Sequence, residues 1–107
     1  MSTFDKREDS FEKGFVHEQE LQFRAEARRN KLLGLWAAEK LGKTGDDAKA
    51  YAFDVVGLDV KAGADELVVA KLKADFAAAG VDQSEHQIRR TMDELTARAT
   101  AEIKSGV

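Results

Sequence analysis

The sequence predicts an all-α protein, an antiparallel four-helix bundle with a flexible N-terminal segment. Three observations lead there. The 107 residues include no proline, so nothing breaks a helix between the 8 glycines. They include no cysteine, which excludes disulfide frameworks, Cys-built metal sites and thiol catalysis and leaves apolar burial to hold the fold. Apolar residues recur at steps of three and four in four stretches separated by glycine. At 43% hydrophobic and 35% charged, the chain has the composition of one globular domain. No apolar run approaches the ~20 residues that span a bilayer. The opening MSTFDKREDS lacks the marks of a secretory or transit peptide, so a cytoplasmic location is expected.

The organisation expected is a flexible segment over 1–18 and a bundle over 19–107. Residues 1–20 carry six acidic and three basic groups, and their only large apolar residues are Met1, Phe4, Phe11, Phe15 and Val16. That supply is too sparse to offset the entropy of ordering, so the segment is expected to fray in isolation. Phe4, Phe11 and Phe15 nevertheless stand at i, i+7 and i+11, one stripe of a 3.6-residue helix. Gly14 within that stripe costs ~1 kcal/mol relative to alanine. The segment therefore reads as a latent amphipathic helix that forms when a partner covers its rings.

The first bundle helix is expected over 19–41, where QELQFRAEARRNKLLGLWAAEKL is rich in strong helix formers and places Leu21, Ala25, Leu32 and Trp36 on one face. Trp36 reads as core. Gly42 supplies a left-handed stop, and Thr44 a weak N-cap for a second helix over 46–61 with Ala48, Tyr51, Ala52, Val55 and Val56 inward. Gly63 marks a turn, and Asp65 and Glu66 open a third helix over 65–79 whose inward stripe is Val68, Leu72, Phe76 and Ala79. Gly80 ends it. Asp82-Gln83-Ser84-Glu85 reads as a capping box for a helix over 83–104 carrying Ile88, Met92, Leu95, Ala99 and Ile103. Loops this short make successive helices antiparallel neighbours.

Catalytic and metal chemistry find little foothold. Gly42-Lys43-Thr44 resembles the end of a phosphate loop, but Ala37 stands where its first glycine belongs, and no strand precedes it. Lys43 and Thr44 are thus candidates only for the alternative of a small nucleotide-binding regulatory bundle. His17 lacks the second histidine of a zinc-protease helix, and His86 sits in an ordinary first turn. No metal, cofactor or catalytic residue is expected. Residues 21–43 carry six basic and two acidic groups, with Arg24, Arg28, Arg29 and Lys31 at the centre. With an overall pI of about 5.4 the cluster argues against nucleic acid and for docking to an acidic protein surface, with a helical adaptor for another partner as the remaining alternative.

The run from Phe15-Val16-His17-Glu18-Gln19-Glu20-Leu21-Gln22-Phe23-Arg24-Ala25 through ARRNKLLGLWAAE to Leu41-Gly42 resembles the ζ-type ATPase inhibitor subunits of α-proteobacterial F1Fo-ATP synthase, a family also catalogued as domain of unknown function 1476. The resemblance extends through Tyr51-Ala52 and Val55 to the terminal helix. It implies a four-helix bundle that binds F1, with its N-terminal segment entering a catalytic α/β interface beside the γ subunit to block rotation and ATP hydrolysis. On that reading the protein is not an enzyme. Phe4, Phe11 and Phe15 bury in the interface, and Asp5, Lys6, Arg7, Glu8, Asp9, Glu12 and Lys13 meet its polar rim. Arg24, Arg28, Arg29 and Lys31 help the bundle dock outside. The free protein is expected to be a monomer, and to meet the cytoplasmic face of the membrane only through F1. Gly14 departs from the basic or small non-glycine residue frequent in the family, and Ala62-Gly63 from a frequent Pro-Gly pair. The first departure bears on inhibitory strength.

Overall fold

In the computed structural model the backbone is described for residues 3–58 and 64–106, and side chains for 19–58 and 65–106. Four helices follow in order: α1 (Thr3–Lys40), α2 (Gly45–Gly57), α3 (Ala64–Ala79) and α4 (Glu85–Ser105). No strand occurs among the described residues. The fold class matches the expectation. The bundle helix expected over 19–41 lies within α1, whose helical backbone also takes in residues 3–18, the part read as a latent helix.

The stops follow glycine chemistry. At the end of α1, Gly42 adopts φ +78°, its N–H donates to the Glu39 carbonyl and the Lys43 N–H donates back to Ala38, the paired bonds of a Schellman stop. Gly80, at φ +71°, ends α3 in the same way: its own N–H reaches Ala77 and that of Val81 reaches Phe76. Thr44 is the N-cap of α2 as expected, although its hydroxyl makes no capping bond. The capping box of α4 is built by Ser84 with Gln87 and not within the 82–85 run. The Gln87 N–H donates to Ser84 Oγ at 3.1 Å, and the Ser84 N–H to Gln87 Oε1 at 2.8 Å. α2, expected to reach residue 61, ends at Gly57, and residues 59–63 lie outside the described set.

α1 packs against α2 on one side and α4 on another, while α3 packs against α4. The pairing of α1 with α4 is antiparallel, since Arg28 meets Glu102 and Arg29 meets Thr96. Leu33, Ala37, Val55, Val68, Leu72, Phe76 and Ile88 form the buried centre. Trp36 joins it edge-on to Phe76, with ring centroids 5.7 Å apart and planes at 86°. Val69 takes the buried place expected for Ala79, which is exposed. α1 and α2 approach closely at Gly34, where an added Cβ would stand 2.6 Å from the Ala52 Cα. Only glycine lets α2 lie that close.

Candidate functional site

Three places were marked by the sequence, and α1 carries most of them. The first is the N-terminal segment. Phe4, Asp5, Lys6, Arg7, Glu8, Phe11, Glu12, Lys13 and Phe15 lie on the helical backbone of α1, and their side chains lie outside the described residues, as does that of His17. Leu21 and Gln22 share a hollow with Lys104, in the last turn of α4. The turns of α1 ahead of Leu21 thus extend past the end of α4, and 18 residues at 1.5 Å each amount to ~27 Å.

The second place is the basic cluster, which the structure divides. Arg24 is exposed and holds Glu20 at 2.9 Å, one helical turn away. Arg28 reaches Glu102 on α4 at 3.5 Å, and Lys31 is exposed. Arg29 corrects the expectation of one four-residue patch: it is only 4% exposed. Its guanidinium donates to Asp65 Oδ1 at 2.6 Å, to Asn30 Oδ1 at 2.9 Å and to Thr96 Oγ1 at 3.5 Å. Burial needs such partners, because an unpaired buried cation is costly. Arg29 therefore joins α1 to α3 and α4 instead of facing a partner. Successive helix positions differ by about 100°, so Arg28 and Arg29 fall on opposite sides of the boundary between surface and core.

The third place is the loop holding Lys43 and Thr44. The amides of Gly42 and Lys43, which a phosphate cradle would present outward, are used by carbonyls of α1. Lys43 Nζ lies 5.8 Å from the centre of the Tyr51 ring, and Lys71 Nζ lies 4.9 Å from it. The Tyr51 hydroxyl donates to Asp75 Oδ2 at 2.7 Å. Burial, reinforced by that bond to a carboxylate, pushes the phenol up from its usual value and keeps it neutral. This cluster joins α2 to α3. Between α3 and α4 Arg89 bridges Glu66 and Glu85. The Arg89 guanidinium lowers the Glu66 carboxyl, and Lys73 followed by Arg89 lowers that of Glu85. Among the described residues no cluster of His, Asp and Glu has the makings of a metal site.

With that geometry in view, comparison with known proteins decides the family. The family model described as ATPase inhibitor subunit zeta matches residues 1–102. The chain belongs to the ATPase inhibitor subunit zeta family. As a member of this ATP-synthase-associated inhibitor family, it matches a structure solved by solution NMR that is 43% identical, with a TM-score of 0.69; the match covers 81% of this chain and 99% of that one. No curated protein matches it significantly. No helix among the described residues is long and apolar enough to cross a membrane.

The sequence reading missed a surface shared by α1 and α2. Phe53 is 77% exposed, beside a groove bounded by Arg28, Lys31 and Leu35 of α1 and Lys49 and Val56 of α2. The one signal was that Phe53 lies off the stripe of Tyr51, Ala52 and Val55, which are buried. Phe23, 67% exposed, lies one turn before Ala27 at the groove's end.

Proposed function

We propose that this chain is a non-enzymatic brake on ATP hydrolysis by F1. The N-terminal part of α1, residues 1–18, enters a catalytic α/β interface beside γ and blocks rotation, and the bundle anchors it outside. Phe4, Phe11 and Phe15 bury against the interface, while Asp5, Lys6, Arg7, Glu8, Glu12 and Lys13 meet its polar rim. Family membership supports the inhibitor role. The observation that carries the head assignment is α1 itself, one helix that starts at Thr3 and extends past the end of α4. A phenyl ring contributes up to ~1.5–3 kcal/mol on full burial, so three rings outweigh the ~1 kcal/mol that Gly14 costs. Held this way, the protein sits on the cytoplasmic side as a peripheral part of the ATP synthase.

The test is ATP hydrolysis by purified F1 from the same source, titrated with the natural chain and with Phe4→Ala/Phe11→Ala/Phe15→Ala. The triple variant is expected to lose inhibition while its thermal unfolding matches that of the natural chain. Equal inhibition by the two chains overturns the assignment of activity to the head.

A further inference from the structure

The bundle carries an apolar groove that the head mechanism leaves unused. It has a volume of about 730 Å³ and lies between α1 and α2, with Leu35, Phe53 and Val56 as its apolar lining and Arg28, Lys31 and Lys49 as its cations. No carboxylate lines it. Single exposed apolar residues are ordinary, but a phenyl ring 77% exposed beside a concave apolar site gives that site an apolar rim of the kind a partner side chain can cover. The charges point the same way. Arg24, Arg89, Arg90 and Arg98 each hold a carboxylate within 3.5 Å, whereas Lys31 and Lys49 make no ion pair among the described residues. Lys31 and Lys49 thus bring positive charge with no ion-paired carboxylate among the described residues to an apolar surface between the two helices, while Arg28 is tied to Glu102.

We propose that this groove grips the ATP-synthase partner by taking an acidic amphipathic helix of F1, with one or two large apolar side chains flanked by carboxylates. The proposal rests on the inhibitor reading above and gives the bundle its contact surface. The walls run over residues 27–35 of α1 and 49–56 of α2, eight or nine positions each and ~12 Å long, enough for two turns of a helix anchored at i, i+4 and i+7. Carboxylates beside those anchors pair with Lys31 and Lys49, and the anchors cover Phe53. The place of the groove selects the partner. Arg28 and Leu35 follow Phe15 by 13 and 20 residues on the same helix, ~20–30 Å along it. An assembly that holds the head has the groove within reach of its surface.

The experiment uses the full chain with purified F1. Phe53→Glu and Lys31→Glu/Lys49→Glu alter exposed side chains, so both are expected to unfold thermally as the natural chain does. Each is expected to raise the half-inhibiting concentration about tenfold, with full inhibition still reached at saturation because the head is intact. Raising the salt concentration is expected to weaken the natural chain more than the lysine variant. With p-benzoylphenylalanine at position 53, photo-crosslinking to F1 is expected on a helix bearing carboxylates. Unchanged half-inhibiting concentrations for both variants overturn the proposal. So does a Phe53→Glu effect confined to concentration-dependent self-association in sedimentation, which makes a second copy's acidic head the occupant. The head variant separates this proposal from the function reading. Loss of inhibition by the head variant alone leaves the inhibitor reading standing without the groove. Weakening by the groove variants alone keeps the groove and removes the head.

Discussion

The two halves of α1 share one helical backbone and differ in what covers them. From Ala25 to Ala38 the helix is the spine of the bundle, with Leu33, Ala37 and Ala38 shielded by the other helices. Ahead of Leu21 it extends past α4. Each half contains one glycine, Gly14 or Gly34, and the same residue type serves opposite ends. In the covered half glycine is required by the close approach of α2. In the leading half it weakens the helix by ~1 kcal/mol relative to alanine. A helix can thus be continuous while packing demands glycine in one half and helix propensity disfavours it in the other.

The sharpest way to break the comparison is Gly34→Ala. The added Cβ meets backbone, the Ala52 Cα at 2.6 Å, and then Ala52 Cβ at 3.1 Å and Val55 Cβ at 3.3 Å, so α2 must move. Overpacking of this kind costs ~1–3 kcal/mol. For a domain of this size each kcal/mol lowers the midpoint by about 4–8 °C, which calorimetry or a circular-dichroism melt reads directly. A melt unchanged by the substitution means the two helices separate without cost.

The pair Arg28 and Arg29 sharpens the comparison within the covered half. Arg29→Ala is expected to destabilise by ~1–3 kcal/mol, because it strips the donor from buried Asn30 Oδ1 and removes the tie to Asp65. Arg28→Ala, at a half-buried position with a 3.5 Å ion pair, is expected to cost under ~1 kcal/mol. The expected split in urea denaturation is therefore a clear loss of midpoint for Arg29 and little for Arg28. Equal shifts mean that burial does not separate the two.

These neighbours also mark how far the sequence is legible. Gly42 and Gly80 announce their helix ends because a left-handed stop is a local event, set by a residue that tolerates positive φ. The stripe of Ile88, Met92 and Ala99 is legible because burial along one helix face is periodic. The inward turn of Arg29 and the outward place of Phe53 are not local. Each depends on where the face of α1 is divided between α2 and α4, and no residue near Arg29 or Phe53 encodes that division. The helical backbone of residues 3–18 was legible as a latent tendency only, because composition signals that the head lacks a core of its own and is silent on propagation from a helix already nucleated by residues 25–38. Of the groove's lining, Lys31 was legible as a residue type, while the groove itself formed only when Leu35 and Val56 came together from two helices.

The smallest expected effect is also the one that tests the leading half by itself. Gly14→Ala should stabilise the helix there by ~1 kcal/mol, since alanine loses less backbone entropy on becoming helical. The bundle should not respond, because position 14 lies seven residues ahead of the hollow where Leu21 meets Lys104. If the head acts on F1 as a helix, the same ~1 kcal/mol tightens inhibition about fivefold, at unchanged thermal midpoint. Far-UV circular dichroism at low temperature reads the added helix, and titration of F1 hydrolysis reads the tightening. A rise in helicity with no gain in inhibition would mean that the head does not bind F1 as a helix. Weaker inhibition would mean that the interface needs the bare backbone at Gly14, and the two glycines of α1 would then serve the same purpose, close approach, one toward α2 and the other toward F1.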